Sequence, residues 1–192
     1  MTQGTRTRDL LLDAAADAVV AGVWARTRMA DVARAAGVSR QTLYYEFGSK
    51  DALAQALALR EAERWMAGAD DAIVGHDGSP AEAVAAATQW TLEEAERNPL
   101  LKAVLTDDVG GLLPFLTTRA EQLQRAAREH LEEHLSSHWP ALPADRLHLV
   151  AETVTRLTFS HLLLPGGRPE QVARDTAVLV HALLGGTPHV DA

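Results

Sequence analysis

The stretch from Thr27 to Lys50 constrains the fold of this 192-residue chain more than any other. Its first half has apolar residues at the i, i+3, i+4 and i+7 spacing of one helix face, namely Met29, Val32, Ala33 and Ala36. Gly37 follows, and glycine readily adopts the left-handed conformation in which many helices end. We therefore expect the stretch to begin with a short helix and a tight turn.

A second short helix is predicted directly after this turn. Ser39 is a favourable N-cap because its hydroxyl can accept a hydrogen bond from the first turn of a helix. Leu43 and Phe47 are spaced as the buried side of that helix, and polar and aromatic residues occupy its other faces. Two short helices joined by a glycine-containing turn, the second with a polar outer face, are typical of a helix-turn-helix.

The same stretch resembles a known family signature. The pattern Val32-Ala33-x-x-Ala36-Gly37-Val38-Ser39-x-x-Thr42-Leu43-Tyr44-x-x-Phe47-x-x-Lys50-x-x-Leu53 looks like the N-terminal signature of the TetR family of transcriptional regulators. The resemblance implies an all-helical homodimer that binds double-stranded DNA at a near-palindromic operator. It also implies a repressor that leaves the operator when a small molecule binds the C-terminal domain.

The outer face of the second helix carries side chains that suit a DNA major groove. Gln41 can pair with adenine through two hydrogen bonds, and Arg40 can pair in the same way with guanine or bind a phosphate. Thr42 can contact a thymine methyl group or a phosphate. We expect these three side chains to select the DNA sequence and the phosphate contacts to set the affinity.

Further DNA contacts follow from the resemblance. Tyr44, Tyr45 and Lys50 match positions that bind the DNA backbone, and Lys50 lies at a helix N-terminus, where backbone amides also favour phosphate. The alternative is that Tyr44 is partly core and Tyr45 merely exposed. Either Thr27 or Arg28 caps the first helix of the motif. The complete predicted DNA-binding set is Thr27, Arg28, Ser39, Arg40, Gln41, Thr42, Tyr44, Tyr45 and Lys50.

The charge distribution is compatible with DNA binding at one end only. Through residue 50 the chain has seven Lys or Arg and five Asp or Glu, a balance of +2. The remainder has eleven and twenty-one, a balance of −10, and the two parts give the net charge of −8. A mildly basic N-terminal part on an acidic body fits a protein that presents that part to DNA.

The composition predicts a globular protein of the cytoplasm. Hydrophobic residues at 47% and charged residues at 23% are ordinary globular values, and the chain has no cysteine for disulfides or thiolate metal sites. Asp9, Asp13 and Asp17 interrupt the N-terminal apolar stretch, which a signal peptide would not tolerate. No apolar run approaches the roughly 18 residues of a membrane span, so no membrane partner is expected.

The remaining pattern predicts an all-α protein of about nine helices. Residues 1–48 are predicted to form a three-helix DNA-binding domain, and residues 49–192 an effector-binding and dimerisation domain. A long helix over residues 50–73 joins them. Further helices are predicted over residues 80–97, 98–105, 113–138, 144–164 and 169–184, after a first helix over residues 6–22.

The last helix predicts a dimer. It is apolar on nearly every side from Ala177 to Leu184, and a helix without a polar face must bury both sides. One side can pack on its own domain and the other needs a partner, and the family resemblance implies pairing through the eighth and ninth helices. The predicted dimer residues are Arg156, Ser160, Leu163, Thr176, Leu179, Val180 and Leu183.

An unknown small-molecule effector is predicted from the resemblance, in a cavity of the C-terminal domain lined by apolar groups with a few polar ones. The candidate lining residues are Trp65, Met66, Trp90, Glu94, Leu101, Leu105, Phe115, Arg119 and Phe159. Trp90 is the first choice, because an aromatic ring beside two glutamates can form the floor of a pocket. The alternative is that these side chains simply make the core.

Two other functions remain open. His130, His134 and His138 share one helix face, and residues 130–134 also fit the H-x-x-E-H pattern of some zinc peptidases. This face offers no further ligand, so neither a metal nor a cofactor is predicted and the chain is not expected to be an enzyme. A helical metal-binding protein or enzyme that uses these histidines is one alternative. A DNA-binding regulator without a small ligand is the other.

Overall fold

The computed structural model describes residues 3–74, 76, 78–106 and 121–185. Within these ranges the chain is helical and has no β-strand, which confirms the predicted all-α class. No helix there is both long and apolar enough to cross a membrane. The α-helices are α1 (Gln3–Val20), α2 (Met29–Ala35), α3 (Arg40–Phe47), α4 (Lys50–Ile73), α5 (Pro80–Arg97), α6 (Pro99–Thr106), α7 (Glu121–His138), α8 (Ala144–Leu163) and α9 (Pro169–Gly185).

The predicted helix bounds agree closely with the structure where both exist. Helices α4 and α5 begin and end at the predicted residues, and α8 and α9 differ from the prediction by one residue at their C-terminal ends. Helix α1 ends at Val20, before the predicted stop at Gly22, and a short 3-10 helix (Trp24–Arg26) follows. The predicted start of the seventh helix at residue 113 lies outside the described residues.

The helices form two compact units. The first unit comprises Met1–Ala62 and Asn98–Ala120, and the second comprises Glu63–Arg97 and Glu121–Ala192. Helix α4 therefore contributes to both units, whereas α6 belongs to the first.

The first unit is built on an apolar core shared by α1, the 3-10 helix, α2, α3 and α4. Each of these five elements contributes one or two large side chains to the most deeply buried part of the core. These side chains are Leu11, Val19, Trp24, Val32, Leu43 and Leu53. Burying a large apolar side chain stabilises a fold by about 1.5–3 kcal/mol. Helix α6 packs against this core through Leu100 and Ala103.

Two glycines set the geometry of the helix-turn-helix. Gly37 has a φ of 69°, and the next residue, Val38, donates its backbone N–H to the Ala33 carbonyl over 2.9 Å. Gly48 has a φ of 70° and donates its N–H to the Tyr44 carbonyl over 2.9 Å, which ends α3. Residues other than glycine rarely adopt a positive φ, so the positions of these two glycines determine where both helices end.

The second unit is a helical bundle in which α5 and α9 pack along each other and α7 and α8 do likewise. Its core is formed by Ala81, Val84, Leu135, Leu147, Val150, Val154 and Val180. Thr88 is also buried, and its hydroxyl donates to the Val84 carbonyl over 2.8 Å within α5. The small residues of α5 allow α9 to approach closely.

Candidate functional site

The N-terminus of α3 is held by a pair of hydroxyl side chains. Ser39 is its N-cap, and the Ser39 Oγ accepts the Thr42 backbone N–H over 3.0 Å. The Ser39 and Thr42 hydroxyl oxygens also lie 2.8 Å apart. The predicted N-cap is confirmed, and the two side chains fix the first turn of α3 before any partner binds.

The outer face of α3 lies open. Arg40 and Gln41 are exposed, and Tyr45 has 87% of its surface accessible against 46% for Tyr44. On the opposite side Leu43 is fully buried. Tyr44 is therefore exposed enough to reach a partner, while the rest of its surface is covered by the protein. This helix therefore offers an amide, a guanidinium and two phenols on one rigid surface, which is the donor and acceptor set that major-groove recognition requires.

The start of α2 settles which residue caps it. Arg28 occupies the N-cap position with an extended backbone, and its N–H donates to the Asp31 carboxylate over 3.0 Å. The Arg28 side chain remains exposed. Thr27 uses its hydroxyl internally, donating to the Val23 carbonyl over 2.9 Å. Of the two predicted DNA contacts here, Arg28 is available to a partner and the Thr27 hydroxyl is already engaged.

Lys50 has a position that the sequence did not predict. Its Nζ donates to the Trp24 carbonyl over 2.5 Å and to the Ala25 carbonyl over 3.3 Å. The same ammonium lies 4.6 Å from the centroid of the Trp24 ring. Burial lowers the pKa of Lys50 from its usual value, and the Asp51 carboxylate opposes that shift. The half-buried Lys50 ammonium therefore contacts two carbonyls and an aromatic ring of the first unit.

A second cation contacts α3, the second helix of the helix-turn-helix. The Arg8 guanidinium of α1 lies 4.6 Å from the centroid of the Phe47 ring near the end of α3. Such cation–π contacts contribute about 0.5–1 kcal/mol at exposed sites. Sequence spacing alone could not reveal this contact between α1 and α3.

The predicted effector residues are distributed over both units. Trp65, Met66, Trp90, Glu94 and Phe159 belong to the second unit, and Leu101 is buried in the first. The side chain of Leu105 and all of Phe115 and Arg119 lie outside the described residues. The indole Nε1 of Trp65 is buried and has no hydrogen-bond partner within the described ranges.

Trp90, the first choice for the pocket floor, lies directly over Gly68 of α4. A Cβ built at residue 68 would overlap the six-membered ring of Trp90. Gly68 is an interior helix residue without positive φ, so the close approach of the indole explains a glycine there. The ring uses this face for packing between α4 and α5.

Gly68→Ala should therefore destabilise the protein by about 1–3 kcal/mol, the usual cost of overpacking. In a Trp90→Ala background the same change should stabilise it by about 0.5–1 kcal/mol, because alanine has the better helix propensity. Urea unfolding of the four proteins of this double-mutant cycle, followed by circular dichroism, measures both effects. Equal effects in the two backgrounds would show that Trp90 does not rest on Gly68.

The histidines of α7 gather around one carboxylate of α4. The His130 Nε2 lies 2.9 Å from both carboxylate oxygens of Asp70, and the His134 Nδ1 lies 3.2 Å from the Asp70 Oδ1. The His134 and His138 rings are stacked with centroids 4.2 Å apart. Burial, followed by the neighbouring His138, lowers the pKa of His134 from its usual value, although Asp70 opposes this.

This cluster does not support the metal-binding alternative. In the described parts of the chain, no group of three or more His, Asp or Glu side chains is arranged to hold a metal ion. Asp70 was missing from the sequence prediction because it lies sixty residues away from His130 in the chain. The cluster links α4 to α7 inside the second unit.

The predicted dimer surface requires a correction on α9. Thr176 and Val180 have only 5% and 0% of their surface exposed, and Leu183 packs against the core of its own unit. Thr176 and Val180 cannot reach a partner without leaving that core, whereas Leu183 is half-buried. The open side of α9 is the opposite one, with Val178 71% exposed. Residues 177–184 are apolar around nearly the whole helix, so their pattern could not distinguish the two sides.

The other predicted dimer residues are placed differently. Arg156 and Ser160 of α8 are exposed, and Arg156 forms an ion pair with Glu152 on the same helix. Leu163 and Leu179 are half-buried. The exposed face of α8 also carries apolar side chains, with Leu149 and Leu157 42% and 40% exposed.

Two family models match the chain. The model described as "Bacterial regulatory proteins, tetR family" matches residues 11–57, which include the helix-turn-helix. The model described as "Bacterial Tetracyclin repressor, C-terminal domain" matches residues 80–182. The two matches together cover most of both units.

Individual relatives agree with these matches. The HTH-type transcriptional regulator AlkX of Mycobacterium tuberculosis is 32% identical over 174 residues, which are 90% of this chain and 82% of that protein. A crystal structure is known of the TetR family repressor AlkX from Dietzia sp., which is implicated in biodegradation of n-alkanes, and its sequence is 34% identical to this chain. It has a TM-score of 0.76 and covers 92% of this chain and 96% of its own.

A more distant structure shares the fold. The TetR-family transcriptional repressor QsdR of R. erythropolis is 20% identical, with a TM-score of 0.64, and the similarity covers 97% of this chain and 98% of that one. Similarity at this level of identity concerns the architecture alone.

Proposed function

The chain belongs to the TetR family and is a DNA-binding transcriptional regulator, and on that premise we propose that it is a homodimeric repressor released from its operator by a small molecule. The observation that carries the proposal is the open outer face of α3 on a rigid, capped helix. Two copies of this helix would enter successive major grooves about 34–36 Å apart.

We propose a division of labour among the exposed side chains of the first unit. Arg40, Gln41 and Thr42 contact base edges, and Arg28, Tyr44 and Tyr45 contact phosphates. The exposure of Arg28 and Tyr45 supports this assignment. Ser39 supports it indirectly, by fixing the first turn of α3.

The homodimer is proposed to form through the open faces of α8 and α9. Exposed apolar side chains mark surfaces that bind other proteins, and four of them lie on or directly after these helices: Leu149, Leu157, Leu164 and Val178. Arg156 and Ser160 lie on the same open side of α8 and would contribute polar contacts. Thr176 and Val180 belong to the core of the protomer, and the half-buried Leu183 packs against that core.

An effector site is proposed within residues 49–192, and residues 1–48 are proposed as the DNA-binding domain. Two buried polar atoms of the second unit support a ligand there, because the Trp65 Nε1 and the His134 Nε2 have no hydrogen-bond partner in the described parts of the chain. Buried polar groups are normally paired with protein, water or ligand. Since the Dietzia relative is implicated in n-alkane biodegradation, n-alkanes are the first probes to test.

Selection of bound duplexes from a random DNA library tests the proposal. We expect one near-palindromic site, bound by a species with twice the 20.7 kDa mass of one chain in light scattering. Adding n-alkanes of increasing length to the selected complex then tests release. A stable monomer, or a pool without a shared sequence, would contradict the proposal, whereas binding without release by any probe would favour a regulator with no small ligand.

A further inference from the structure

A single carboxylate holds two histidines of α7 against α4. The His130 Nε2 lies 2.9 Å from both Asp70 carboxylate oxygens, and the His134 Nδ1 lies 3.2 Å from the Asp70 Oδ1. An ionised carboxylate only accepts hydrogen bonds, so both of these ring nitrogens carry a proton. A neutral imidazole carries only one, and the Nε2 of neutral His134 therefore has none. These three side chains and that of His138 form the α4–α7 cluster.

Protonation of His134 is unfavourable in this arrangement. Its Nε2 is buried and has no hydrogen-bond partner in the described parts of the chain, so a proton added there would have no acceptor. The ring also stacks on His138 with centroids 4.2 Å apart, and two protonated rings at that distance repel each other. Burial, followed by His138, lowers the pKa of His134 from its usual value, while Asp70 opposes the shift. The packed cluster therefore favours a neutral His134.

One carboxylate faces three imidazoles in the cluster. Asp70 is the anion that acts on His134 from α4, and the other charges that act on it are those of His130 and His138 on its own helix. Helices α5 and α9 meet α7 through the apolar core of the second unit, around Leu135. Each proton that the cluster takes up beyond the first therefore adds positive charge that Asp70 cannot balance.

The charges of α8 lie on another side of α7. The Glu152 Oε2 lies 3.5 Å from the Arg128 Nε, and the His148 Nδ1 lies 3.0 Å from the Glu132 Oε2. Residues 128 and 132 precede residues 130 and 134 by two positions each, which is about 200° around an α-helix. The carboxylates of Glu132 and Glu152 therefore belong to a separate network and do not neutralise the cluster.

We propose that the α4–α7 cluster is an acid-sensitive contact, which holds the C-terminal part of α4 against α7 at neutral pH and separates when its histidines take up protons. The proton is then a second signal beside the small molecule. Helix α4 begins directly after the turn that ends α3, so the cluster acts on the helix that continues from the DNA-binding surface. The effect on operator binding rests on the proposed function, whereas the separation itself does not.

Acid should weaken the cluster below about pH 6.5, the usual pKa of histidine in an unfolded chain. Because the pKa of His134 is lower in the folded protein, the separated state takes up the proton first as the pH falls, and the packed state loses stability. Amide protection factors at residues 66–73 and 128–137 should fall by roughly threefold to tenfold between about pH 7.5 and 5.5, since one proton contributes at most about tenfold per pH unit. Hydrogen exchange, corrected for the intrinsic effect of pH, measures this fall, and α2 and α3 in the first unit should not show it.

His134→Asn tests the cause. The asparagine amide can donate to Asp70 as the His134 Nδ1 does, but it takes up no proton in this pH range. The variant should therefore lose the acid response. His148→Asn is the matched control, because it makes the same change at an exposed histidine of α8 and should keep the response. A wild type without an acid response, or an equal response in wild type and His134→Asn, would overturn the proposal.

Nitrogen-15 NMR of the imidazole rings gives a readout on the unaltered protein. We expect neutral His134 to carry its proton on Nδ1 and to titrate with a pKa below the usual histidine value. A neutral ring protonated on Nε2, or a raised pKa, would overturn the proposal. This measurement also decides the question if His134→Asn does not fold.

Operator binding gives the functional readout. Wild type and His134→Asn have the same DNA-binding surface, so direct effects of pH on the DNA contacts cancel in the ratio of their affinities. We expect the affinity of the wild type relative to the variant to fall by about threefold between about pH 7.5 and 5.5. An unchanged ratio would overturn the regulatory role. If neither protein selects an operator, the proposed function fails, and the exchange and NMR results still decide on the cluster.

Discussion

Operator affinity should fall by roughly 30-fold to 10⁴-fold when Arg40 and Gln41 are both replaced by alanine, since each bidentate pair with a base contributes about 1–3 kcal/mol and each 1.4 kcal/mol is tenfold. Both side chains are exposed on α3, and alanine is a good helix former. The variant should therefore fold as the wild type does, with a change in unfolding free energy within about 0.5 kcal/mol.

Anisotropy titrations with the selected operator and with an unrelated duplex measure this effect. The loss should be confined to the operator, so that the variant binds both duplexes with nearly the same affinity. Gln124→Ala together with Arg125→Ala is the matched control, because it removes the same two residue types from α7. A double variant of α3 that still prefers the operator would contradict the proposed base contacts.

The helix-turn-helix could be predicted because its determinants are local. Gly37 and Gly48 enforce a left-handed backbone at the ends of α2 and α3, and Ser39 caps α3 through a residue three positions away. Interactions of such short range depend on sequence spacing alone. The exposed face of α3 could be predicted as well. Leu43 and Phe47 mark the buried side of that helix, so the remaining residues form its exposed side.

Contacts between distant residues could not be predicted in the same way. Lys50 binds carbonyls 25 and 26 residues away, and Asp70 meets His130 sixty residues along the chain. No periodicity encodes such pairs, since they arise only after the helices pack. The position of Trp90 over Gly68 was missed for the same reason, although an isolated glycine inside a long helix is a recognisable sign of a close approach.

The face of α9 illustrates a limit of pattern analysis. Because residues 177–184 are apolar on nearly every side of the helix, the sequence indicated two buried sides without indicating which one faces the protomer. The predicted dimer residues Thr176 and Val180 belong to the inner side, and Val178 lies on the outer one. Packing against α5 decides between the two sides, and it depends on the small residues of a helix about ninety residues earlier.

The core of the first unit leads to the second large effect, on stability. Trp24→Ala should lower the unfolding free energy of this unit by about 3–5 kcal/mol, the usual cost of deleting a buried aromatic ring. Trp24 is 1% exposed and packs among side chains from α1, α2, α3 and α4, so the cavity cannot be filled by one small movement. The change also removes the ring beneath the Lys50 ammonium.

Guanidinium unfolding followed by circular dichroism measures the total effect, and hydrogen exchange assigns it to the first unit. Amides of α2 and α3 should lose protection, while those of α5 and α9 in the second unit keep theirs, because Trp24 belongs only to the first core.

Tyr45→Ala is the matched control, since it deletes an aromatic ring that is 87% exposed and should change stability by less than about 0.5 kcal/mol. Tyr45→Ala should nevertheless weaken operator binding. Trp24→Ala should weaken it only in proportion to the fraction of molecules whose first unit is unfolded. A Trp24→Ala variant of wild-type stability would mean that the turn before α2 is not held by this core.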